Sequence, residues 1–437
     1  MDVFMIGNGF DLHYFLPTSY SCFLYTVDYL SKKIARGDSI HSVACVLGDK
    51  NLYNHDKALK NCFDRYGNSY DAELNPDIVK RVFGEAANNL WFNYLNKSLK
   101  SGQNWIDFEQ EIDRVVHIIS EVLDSTLILS SRLYIKIGSY KAKELICSSF
   151  HFFLEKTKRM PCLNDKQSLL FPVRDEFINE DPPKSGILEL DKNKIVSFLY
   201  DALRELTDML AAYLILFVET PLKNLIKKNH KCQDYLLAKW NWDNTQIISF
   251  NYTHTIQILY HQNHLPQTSI HFLHGELREI EGSGLVLGIA ANQQDDMVDS
   301  NVTFLPFKKF YQRVLYQADL SYISFLNECD NATRESKDST FDLYIIGHSL
   351  DKTDHEVIRN CFIRADSICI FYHDLCAVSN YIRNLTVIFG KKQFENLRIE
   401  KKLRFISISN LNISRSNLDR VLMQKYVCKK NSQEATK

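Results

Sequence analysis

MIGNGFDLHYFLPTSYSCFL, residues 5–24, begins at the end of an apolar run and carries Gly7 and Gly9 with a single residue between them. A strand that ends in closely spaced glycines is typical of a phosphate-binding turn, because glycine lets the backbone approach a pyrophosphate and the next amides can donate to it. Leu12 occupies the position where such a turn usually has a third glycine, and Pro17 follows. The stretch therefore predicts a nucleotide-binding turn that differs from the common one.

The bulk composition is that of an ordinary globular protein. With 437 residues, of which 45% are hydrophobic, the chain can bury a large core and form two or three domains, or one domain with an insertion. Its 52 basic and 53 acidic residues nearly cancel, so no net field attracts nucleic acid or a membrane surface. Neither is favoured as a partner.

The cysteines and the apolar runs indicate the compartment. The 11 cysteines include no Cys-x-x-Cys pair and no Cys/His cluster with metal-ligand spacing, which favours reduced thiols and argues against a structural metal. The longest apolar run, residues 209–218, is too short to cross a bilayer, and the first strand leaves no room for a signal peptide. We expect a cytoplasmic protein without a membrane segment or a bound metal.

Two sequence patterns divide the chain. Beyond residue 240, short apolar runs alternate with helical patterns, which is typical of a doubly wound, mostly parallel sheet of Rossmann-like α/β type. These runs are TQIISF, SIHFLHG, GLVLGIA, FDLYIIGHSL, DSICIFYHD and LRFISISN. Between residues 19 and 239, apolar residues recur at helical spacing, as in the long stretch that begins KIVSFLYDALRELTDML. This part is predicted to be helical.

The position of the first strand predicts the domain organisation. Residues 3–6 cannot form a domain alone, and their sheet partners begin some 240 residues later. We therefore predict an α/β nucleotide-binding core of residues 1–18 and 240–412, interrupted by a large helical insertion over 19–239. A C-terminal helix and tail follow over 413–437. Ligands are expected at the carboxyl ends of the parallel strands.

Polar or glycine residues end several of the predicted strands and would meet on one rim of the sheet. Taken singly, each is typical of a turn or a cap, but together they favour a ligand site. The strand ends are Gly7, Asn8 and Gly9; then Asn251; then His274 and Gly275; and finally Gly347, His348 and Ser349.

Several motifs resemble those of the AbiH bacteriophage abortive-infection family. IGNGFDLHYFLPTSYSCFL is similar to that family's N-terminal signature, and NWIDFEQEI, SFNYTHTIQILY, LHGEL, LVLGIA and IIGHSLDKTDHEVI follow in its order. The resemblance covers nearly the whole chain and implies a role in defence against phage. Phe15 is a departure, since the family more often has a glycine there.

A more remote resemblance, to sirtuins and sirtuin-like NAD hydrolases, implies a chemistry. Those proteins carry a Gly-Ala-Gly turn, a Gly-Ile-Pro element, and strands that end in Asn, in His-Gly and in Gly-x-Ser. The same order appears here as Gly7-Asn8-Gly9, Leu16-Pro17, Asn251, His274-Gly275 and Gly347-His348-Ser349. The resemblance implies that NAD, or a related dinucleotide, is bound and cleaved, with Pro17 in a loop that covers it.

The residue types suggest a role for each candidate site residue. Cleavage of the nicotinamide–ribose bond develops an oxocarbenium-like sugar, so His274 is predicted to be the base and Asn251 to orient the ribose or a water. Asp11 would repel a phosphate, so it is expected to cap the next turn or bind a ribose hydroxyl, and Asn8 suits a ribose or amide contact. His348 and Ser349 are expected near the phosphates or the adenosine ribose.

Other conspicuous residues are predicted to be structural. Asp351 and Asp354 open a helix, where carboxylates act as caps. His271 lies on the opposite strand face from His274. Near residue 110, an acidic series is typical of a solvated helix start; its members are Asp107, Glu109 and Glu111.

Three functions stay open from the sequence. The first is an NAD hydrolase in phage defence, in which the helical insertion restrains or triggers the site, with a phage-derived trigger and self-association as expected partners. The second is a non-catalytic dinucleotide-binding sensor or scaffold. A protein deacylase is less favoured, because sirtuin deacylases usually carry a four-cysteine zinc ribbon and this chain has no Cys-x-x-Cys.

Overall fold

The structure is a computed structural model, and it places two sheets and a set of helices around them. It describes residues 1–100, 107–155, 160–162, 165–179, 188–228, 236–237, 240–260, 270–278, 280, 282, 284–290, 302–318, 321–327 and 341–408. The helix and tail predicted over 413–437 lie outside these residues. In chain order the strands are β1 (Asp2–Ile6), β2 (Thr126–Leu129), β3 (Arg132–Ile137), β4 (Met160–Cys162), β5 (Asp165–Pro172), β6 (Thr245–Ser249), β7 (Ile270–Phe272), β8 (Phe341–Ile346), β9 (Ala365–Tyr372) and β10 (Leu403–Ser407).

The larger sheet is parallel throughout and has the order β10-β9-β8-β1-β6-β7. Counted along the chain within this sheet, that is the 3-2-1-4-5-6 order of a doubly wound fold, with the reversal between β1 and β8. In β1, Met5 pairs with Ile248 of β6 on one side and with Ile345 of β8 on the other. The predicted parallel sheet of Rossmann-like α/β type, and the pairing of the first strand with strands that begin some 240 residues later, are confirmed.

One predicted strand is wrong. The segment GLVLGIA, residues 284–290, runs beside the sheet without joining it. Val286 N donates to His274 O at 2.8 Å, Leu287 N donates to the Gln312 side chain at 2.9 Å, and Ile289 forms a single bridge with Lys308. The segment is as apolar as a strand because it is buried, but its backbone hydrogen bonds go to a loop and to a side chain, so no strand ladder forms.

The helices cover both faces of the sheet and build the segment between β1 and β6. They are α1 (Asn8–His13), α2 (Tyr20–Ala35), α3 (Val43–Leu47), α4 (Lys50–Tyr53), α5 (Lys57–Tyr66), α6 (Pro76–Phe83), α7 (Leu90–Lys100), α8 (Phe108–Leu123), α9 (Tyr140–Ser148), α10 (Lys192–Tyr213), α11 (Thr220–Lys227), α12 (Thr255–Tyr260), α13 (Lys309–Leu315), α14 (His355–Arg364) and α15 (Leu375–Ile399).

The segment over 19–239 is mainly helical but also contains an antiparallel sheet that the sequence analysis did not predict. Its order is β2-β3-β5-β4. In β3, buried and half-buried side chains alternate along RLYIKI, the period of two that marks a strand with one covered face. That short alternation was masked in the sequence by the helical patterns on either side.

A continuous helix over Lys192–Lys227 is long and apolar enough to cross a membrane, but 67% of its most apolar 18-residue stretch is buried inside the protein. It joins α10 and α11 through a π-helical segment, Leu214–Glu219. Pro221 has no N–H for the carbonyl four residues earlier, and the Tyr70 hydroxyl donates at 3.1 Å to Phe217 O and Val218 O in its place. The helix is thus a core element with a satisfied irregularity.

The two faces of β1 belong to different cores. Phe4 and Ile6 pack into the large cluster that includes the insertion helices, whereas Val3 and Met5 pack with β8 and α14. Successive side chains of a strand point to opposite faces, so β1 is buried on both sides. The insertion segment therefore packs directly on one face of the sheet, next to the strand ends.

Candidate functional site

A cleft of about 330 Å³ opens at the carboxyl ends of β1, β6 and β8, where the strand order reverses. This is the position at which open α/β sheets bind ligands. Most of the predicted site residues line it: Gly7, Asn8, Gly9, Asp11, Asn251, His274, Gly347, His348 and Ser349. The insertion segment closes the cleft with the start of α2, the start of α8, and Leu210 and Leu214.

Two predicted residues do not line the cleft. Pro17 is buried, and its carbonyl accepts a hydrogen bond from Tyr213 of the insertion at 2.6 Å, so it fixes the loop after α1. Gly275 has φ +78°, and a Cβ there would lie 2.8 Å from Gly284 O. It serves the turn after β7. Both residues thus have structural roles, and their contacts with a dinucleotide stay predictions.

The glycine turn is built for contact between two strand ends. Gly9 N donates to Gly347 O at 2.8 Å, and Phe10 N donates to Gly7 O at 2.9 Å. A Cβ on Gly9 would lie 2.7 Å from Gly347 Cα, and a Cβ on Gly347, at φ +68°, would lie 2.1 Å from Phe10 N. Glycine is required because the two backbones touch. The Gly9 and Phe10 amides are consequently engaged within the protein.

Phe15, in the loop after this turn, has a backbone conformation that favours glycine. Its φ is +55°, in the left-handed region that disfavours a side chain with a Cβ. The guanidinium of Arg65, on α5, lies over the Phe15 ring at 5.9 Å from its centroid. A cation–π contact with the insertion segment thus holds the Phe15 ring.

Asn251 follows β6 and is held by the N-terminal turn. Its Nδ2 donates to Gly7 O at 3.2 Å and to Asp11 Oδ1 at 3.1 Å. Because both amide hydrogens are engaged, Asn251 offers a ligand its Oδ1 acceptor. The predicted orienting role is thus restricted to groups that donate, such as a ribose hydroxyl or a water.

Asp11 is held by neighbouring side chains. Besides Asn251, its carboxylate accepts from the Thr253 hydroxyl at 2.5 Å, so both oxygens are engaged by neighbouring side chains. The helix that contains it has Gly7 as its N-cap. Burial raises the pKa of Asp11 to about 7, although the hydrogen bonds from Thr253 and Asn251 oppose the rise. Its side chain positions Asn251, and its backbone carbonyl closes the turn after α1 by accepting from Tyr14 N and Leu16 N.

His274 follows β7 and is paired with a carboxylate. Its Nε2 lies 3.2 Å from Asp354 Oδ1 and 3.3 Å from Lys309 Nζ. Burial and the Lys309 charge lower the pKa of His274 below its usual value, so the imidazole is neutral near pH 7. With the proton on Nε2 facing Asp354, Nδ1 carries the lone pair, as in the histidine of a base–carboxylate pair.

Asp354 joins several of these groups and is more than a helix cap, which corrects the prediction. Its Oδ1 accepts from Lys309 Nζ at 2.8 Å, and its Oδ2 lies 3.5 Å from His348 Nε2. Burial would raise the pKa of Asp354, but Lys309 and His274 outweigh it and hold the pKa well below the ordinary value. Asp354 is therefore a buried carboxylate anion at the base of the cleft.

Glu109 and Lys309 were missed as site residues. Glu109, predicted to be solvated, is buried, and its Oε2 lies 2.8 Å from Lys309 Nζ. Asp107 does cap α8 as a helix start suggests, accepting from the Glu109 and Gln110 amides. NWIDFEQEI was the available signal for Glu109. No sequence signal pointed to Lys309, because a lysine in KKF, residues 308–310, looks like an ordinary surface lysine.

The remaining predictions concern nearby histidines and acids. Leu350 N donates to His348 Nδ1 at 2.9 Å, which puts the His348 proton on Nε2, toward Asp354. Asp351 caps the next turn by accepting from Thr353 N, as predicted. His271 bonds Ser321 and Gln246 away from the cleft, which confirms its structural role.

The electrostatic character of the cleft is acidic. The described lining residues include no lysine or arginine, while carboxylates contribute from several elements; they are Asp11, Asp107, Glu109, Asp351 and Asp354. Lys309 lies behind them, 2% exposed. Such a lining favours hydroxyl donors and positive charge over a free phosphate. Among the described residues, no group of three or more His, Cys, Asp or Glu side chains is placed to hold a metal ion.

Fold and cleft together define a doubly wound α/β protein with a candidate ligand site at its topological switch point, closed by an insertion. The family model described as bacteriophage abortive infection AbiH matches residues 3–372, so the chain belongs to the AbiH family, which is associated with abortive defence against phage. No curated protein and no solved structure matches the chain.

Proposed function

We propose that this AbiH protein acts in phage defence by hydrolysing NAD to nicotinamide and ADP-ribose in the cleft. The observation that carries the proposal is the neutral His274 paired with the Asp354 carboxylate, beside the Oδ1 acceptor of Asn251, at the switch point of a Rossmann-like sheet. The remote resemblance to sirtuin-like NAD hydrolases supports it. The reaction would take place in the cytoplasm, with a phage-derived trigger and self-association as further parts of the proposal.

The chemical step uses groups that the cleft contains. The bond between ribose C1′ and the nicotinamide nitrogen breaks, and its electron pair neutralises the departing pyridinium. A water oxygen bonds to C1′ while His274 Nδ1 takes the water proton. Asn251 Oδ1 accepts from a ribose hydroxyl or from that water. The ribose becomes oxocarbenium-like as the bond breaks, and the surrounding carboxylates stabilise its positive charge.

The acidic lining also predicts which half of the substrate lies deepest. The nicotinamide ring of NAD is positive, so the half nearest Asp354 and Glu109 is the nicotinamide riboside. Asn8 and Ser349 line the same cleft, and in this proposal they contact the rest of the dinucleotide. Once nicotinamide has left, ADP-ribose keeps only negative charge, and the carboxylates favour its release.

Non-catalytic binding is the second candidate, and one observation favours it. The insertion lines the cleft with the starts of α2 and α8 and with Leu210 and Leu214, so a bound dinucleotide would contact the helices that pass a signal on. A sensor would bind a dinucleotide in the cleft without releasing nicotinamide. Calorimetry and product analysis on the same preparation separate the two functions. A deacylase is less favoured on the cysteine pattern described above.

The deciding experiment incubates purified protein with NAD, with and without lysate from phage-infected cells, and measures free nicotinamide by chromatography. His274→Ala and Asn251→Ala should each lower the rate by roughly 10²- to 10⁴-fold, the size of a general acid–base contribution, and abolish phage protection while the protein stays folded. His271→Ala is the matched control, since it lies on the other side of the sheet. Nicotinamide release that survives in His274→Ala but is lost in His271→Ala would contradict the site. Binding without release by the parent protein would favour the sensor.

A further inference from the structure

A row of buried charges connects the insertion segment to the candidate base. Glu109, on α8 of the insertion, contacts Lys309 of α13 at 2.8 Å. Lys309 contacts Asp354 Oδ1, also at 2.8 Å, and His274 Nε2 at 3.3 Å. All four side chains are buried. The charge of a single lysine is thus shared between a carboxylate of the insertion and a carboxylate of the core.

His274 Nε2 has two neighbours that favour opposite protonation. Asp354 Oδ1 is an ionised acceptor and favours a proton on Nε2. Lys309 Nζ is a donor and favours a bare Nε2. A neutral imidazole carries one proton, so a proton on Nε2 leaves the lone pair on Nδ1, and a bare Nε2 puts the proton on Nδ1. Which neighbour prevails decides whether Nδ1 can act as a base.

Glu109 influences this balance through Lys309. The ammonium has three hydrogens, and Glu109 Oε2 and Asp354 Oδ1 engage it at the shorter distances, which leaves the longer contact for His274. Removing the Glu109 carboxylate frees a donor of Lys309 and takes away the negative charge that holds the ammonium. Donation from Lys309 to His274 Nε2 then becomes more favourable.

We propose that Glu109 is a positioning residue that, through Lys309, keeps the His274 proton on Nε2 and the lone pair on Nδ1; its effect on turnover rests on the proposed NAD hydrolysis. The base is therefore completed by a group from the insertion, which lies far from it in the sequence. A displacement of α8 that separates Glu109 from Lys309 converts Nδ1 from an acceptor into a donor without moving the sheet.

The test is a tautomer measurement, which needs no substrate. Histidine-selective ¹⁵N labelling and long-range proton–nitrogen correlation distinguish a proton-bearing from a bare ring nitrogen, and His274→Gln assigns the signal. The measurement is made above the lowered pKa of His274. Wild type should show a bare Nδ1, and Glu109→Ala should show the proton moved to Nδ1. Glu109→Gln, which keeps an acceptor oxygen for Lys309, should stay close to wild type.

Two further variants make the outcome decisive. In the double variant Glu109→Ala with Lys309→Met no cation is left to donate to Nε2, so the wild-type tautomer should return. Glu111→Gln is the matched control on the same helix, because Glu111 bonds Tyr94 and Arg114 and does not contact Lys309. A protonated Nδ1 in wild type, or an unchanged tautomer in folded Glu109→Ala, would overturn the proposal. A purely structural role would lower the melting temperature and leave the proton in place.

Activity then separates this inference from the proposed function. If wild type releases nicotinamide, the rate in Glu109→Ala should fall by the same factor as the population of molecules with a bare Nδ1, and the double variant should recover part of it. A rate that does not follow the tautomer refutes the coupling to turnover. If no nicotinamide appears in wild type while the tautomers behave as expected, the proposed hydrolysis fails and the positioning role stands.

Discussion

Protonation of Asp11 should make the stability of this protein depend on pH in a way that one substitution removes. Burial raises the pKa of this carboxyl from 3.8 to about 7 in the folded protein. Between those two values the folded state holds a proton that the unfolded state releases. The stability from this group is therefore fully present below the unfolded pKa and is lost as the pH rises through about 7.

The size of the effect follows from the shift. Each pH unit within the window changes the free energy of unfolding by about 1.36 kcal/mol per group, so about 3 kcal/mol is lost between about pH 5 and pH 8. Asp11→Asn is neutral at every pH and keeps an oxygen that can accept from Thr253, but it loses the acceptor for Asn251 Nδ2. That lost hydrogen bond costs about 1 kcal/mol.

By pH 5 wild type has already lost about 1.6 kcal/mol, because pH 5 lies 1.2 units above the unfolded pKa of 3.8. Asp11→Asn should consequently be only slightly the more stable protein near pH 5, and the more stable by about 3 kcal/mol near pH 8. Urea denaturation of both proteins at the two pH values measures the difference. Because the other titrating groups are shared, they cancel to first order in that comparison. A difference that is the same at both pH values, or that changes in the opposite direction, would show that Asp11 is ionised in the folded protein. A ¹³C titration of the Asp11 carboxyl gives the same information directly.

Two further predictions concern contacts that the sequence did not reveal. Gly9→Val places a branched side chain against the Gly347 backbone, since even a Cβ would lie only 2.7 Å from Gly347 Cα, so the free energy of unfolding should fall by about 1–3 kcal/mol and ligand binding should be lost with it. Asn8→Ala should affect binding alone, and calorimetry measures both stability and binding. A fully stable Gly9→Val that has lost only binding would support the pyrophosphate role of Gly9 instead. Lys309→Met leaves the Glu109 and Asp354 carboxylates buried without their cation, so the free energy of unfolding, measured by thermal denaturation, should fall by about 3–5 kcal/mol. Adding Glu109→Ala should recover much of that stability. Unchanged stability in Lys309→Met would mean that the two carboxylates are already protonated in the folded protein.

The rim of the sheet was predictable because its signals are local. An apolar run that ends in glycine or a polar residue marks a strand end, and parallel strands place such ends side by side. Gly7, Asn251, His274 and Gly347 were found in this way, and the structure brings them to one cleft. Pro17 and Gly275 were predicted from the same motifs but do not line the cleft, since a position close to a site in the sequence does not fix its contacts in the fold.

The chemical environment of those residues was not predictable. Whether Asp11 binds a ligand or a neighbour depends on Thr253 and Asn251, which reach it only in the folded chain. Similarly, Asp354 has the sequence pattern of a helix cap, and only its burial beside Lys309 makes it a partner of His274. The pKa of each group is set by desolvation and by charges that lie far away in the sequence.

The sequence by itself determined the doubly wound sheet, the membership of the first strand in it and the rim that carries the candidate site, because hydrophobic periodicity and strand-end residues are properties of short segments. Only the tertiary structure decided that the insertion adds a small antiparallel sheet and supplies Glu109 to the core. It also decided that Gly9 and Gly347 are glycines because their backbones touch. Backbone contacts and buried ion pairs depend on distances between segments, and those distances exist only after the chain has folded.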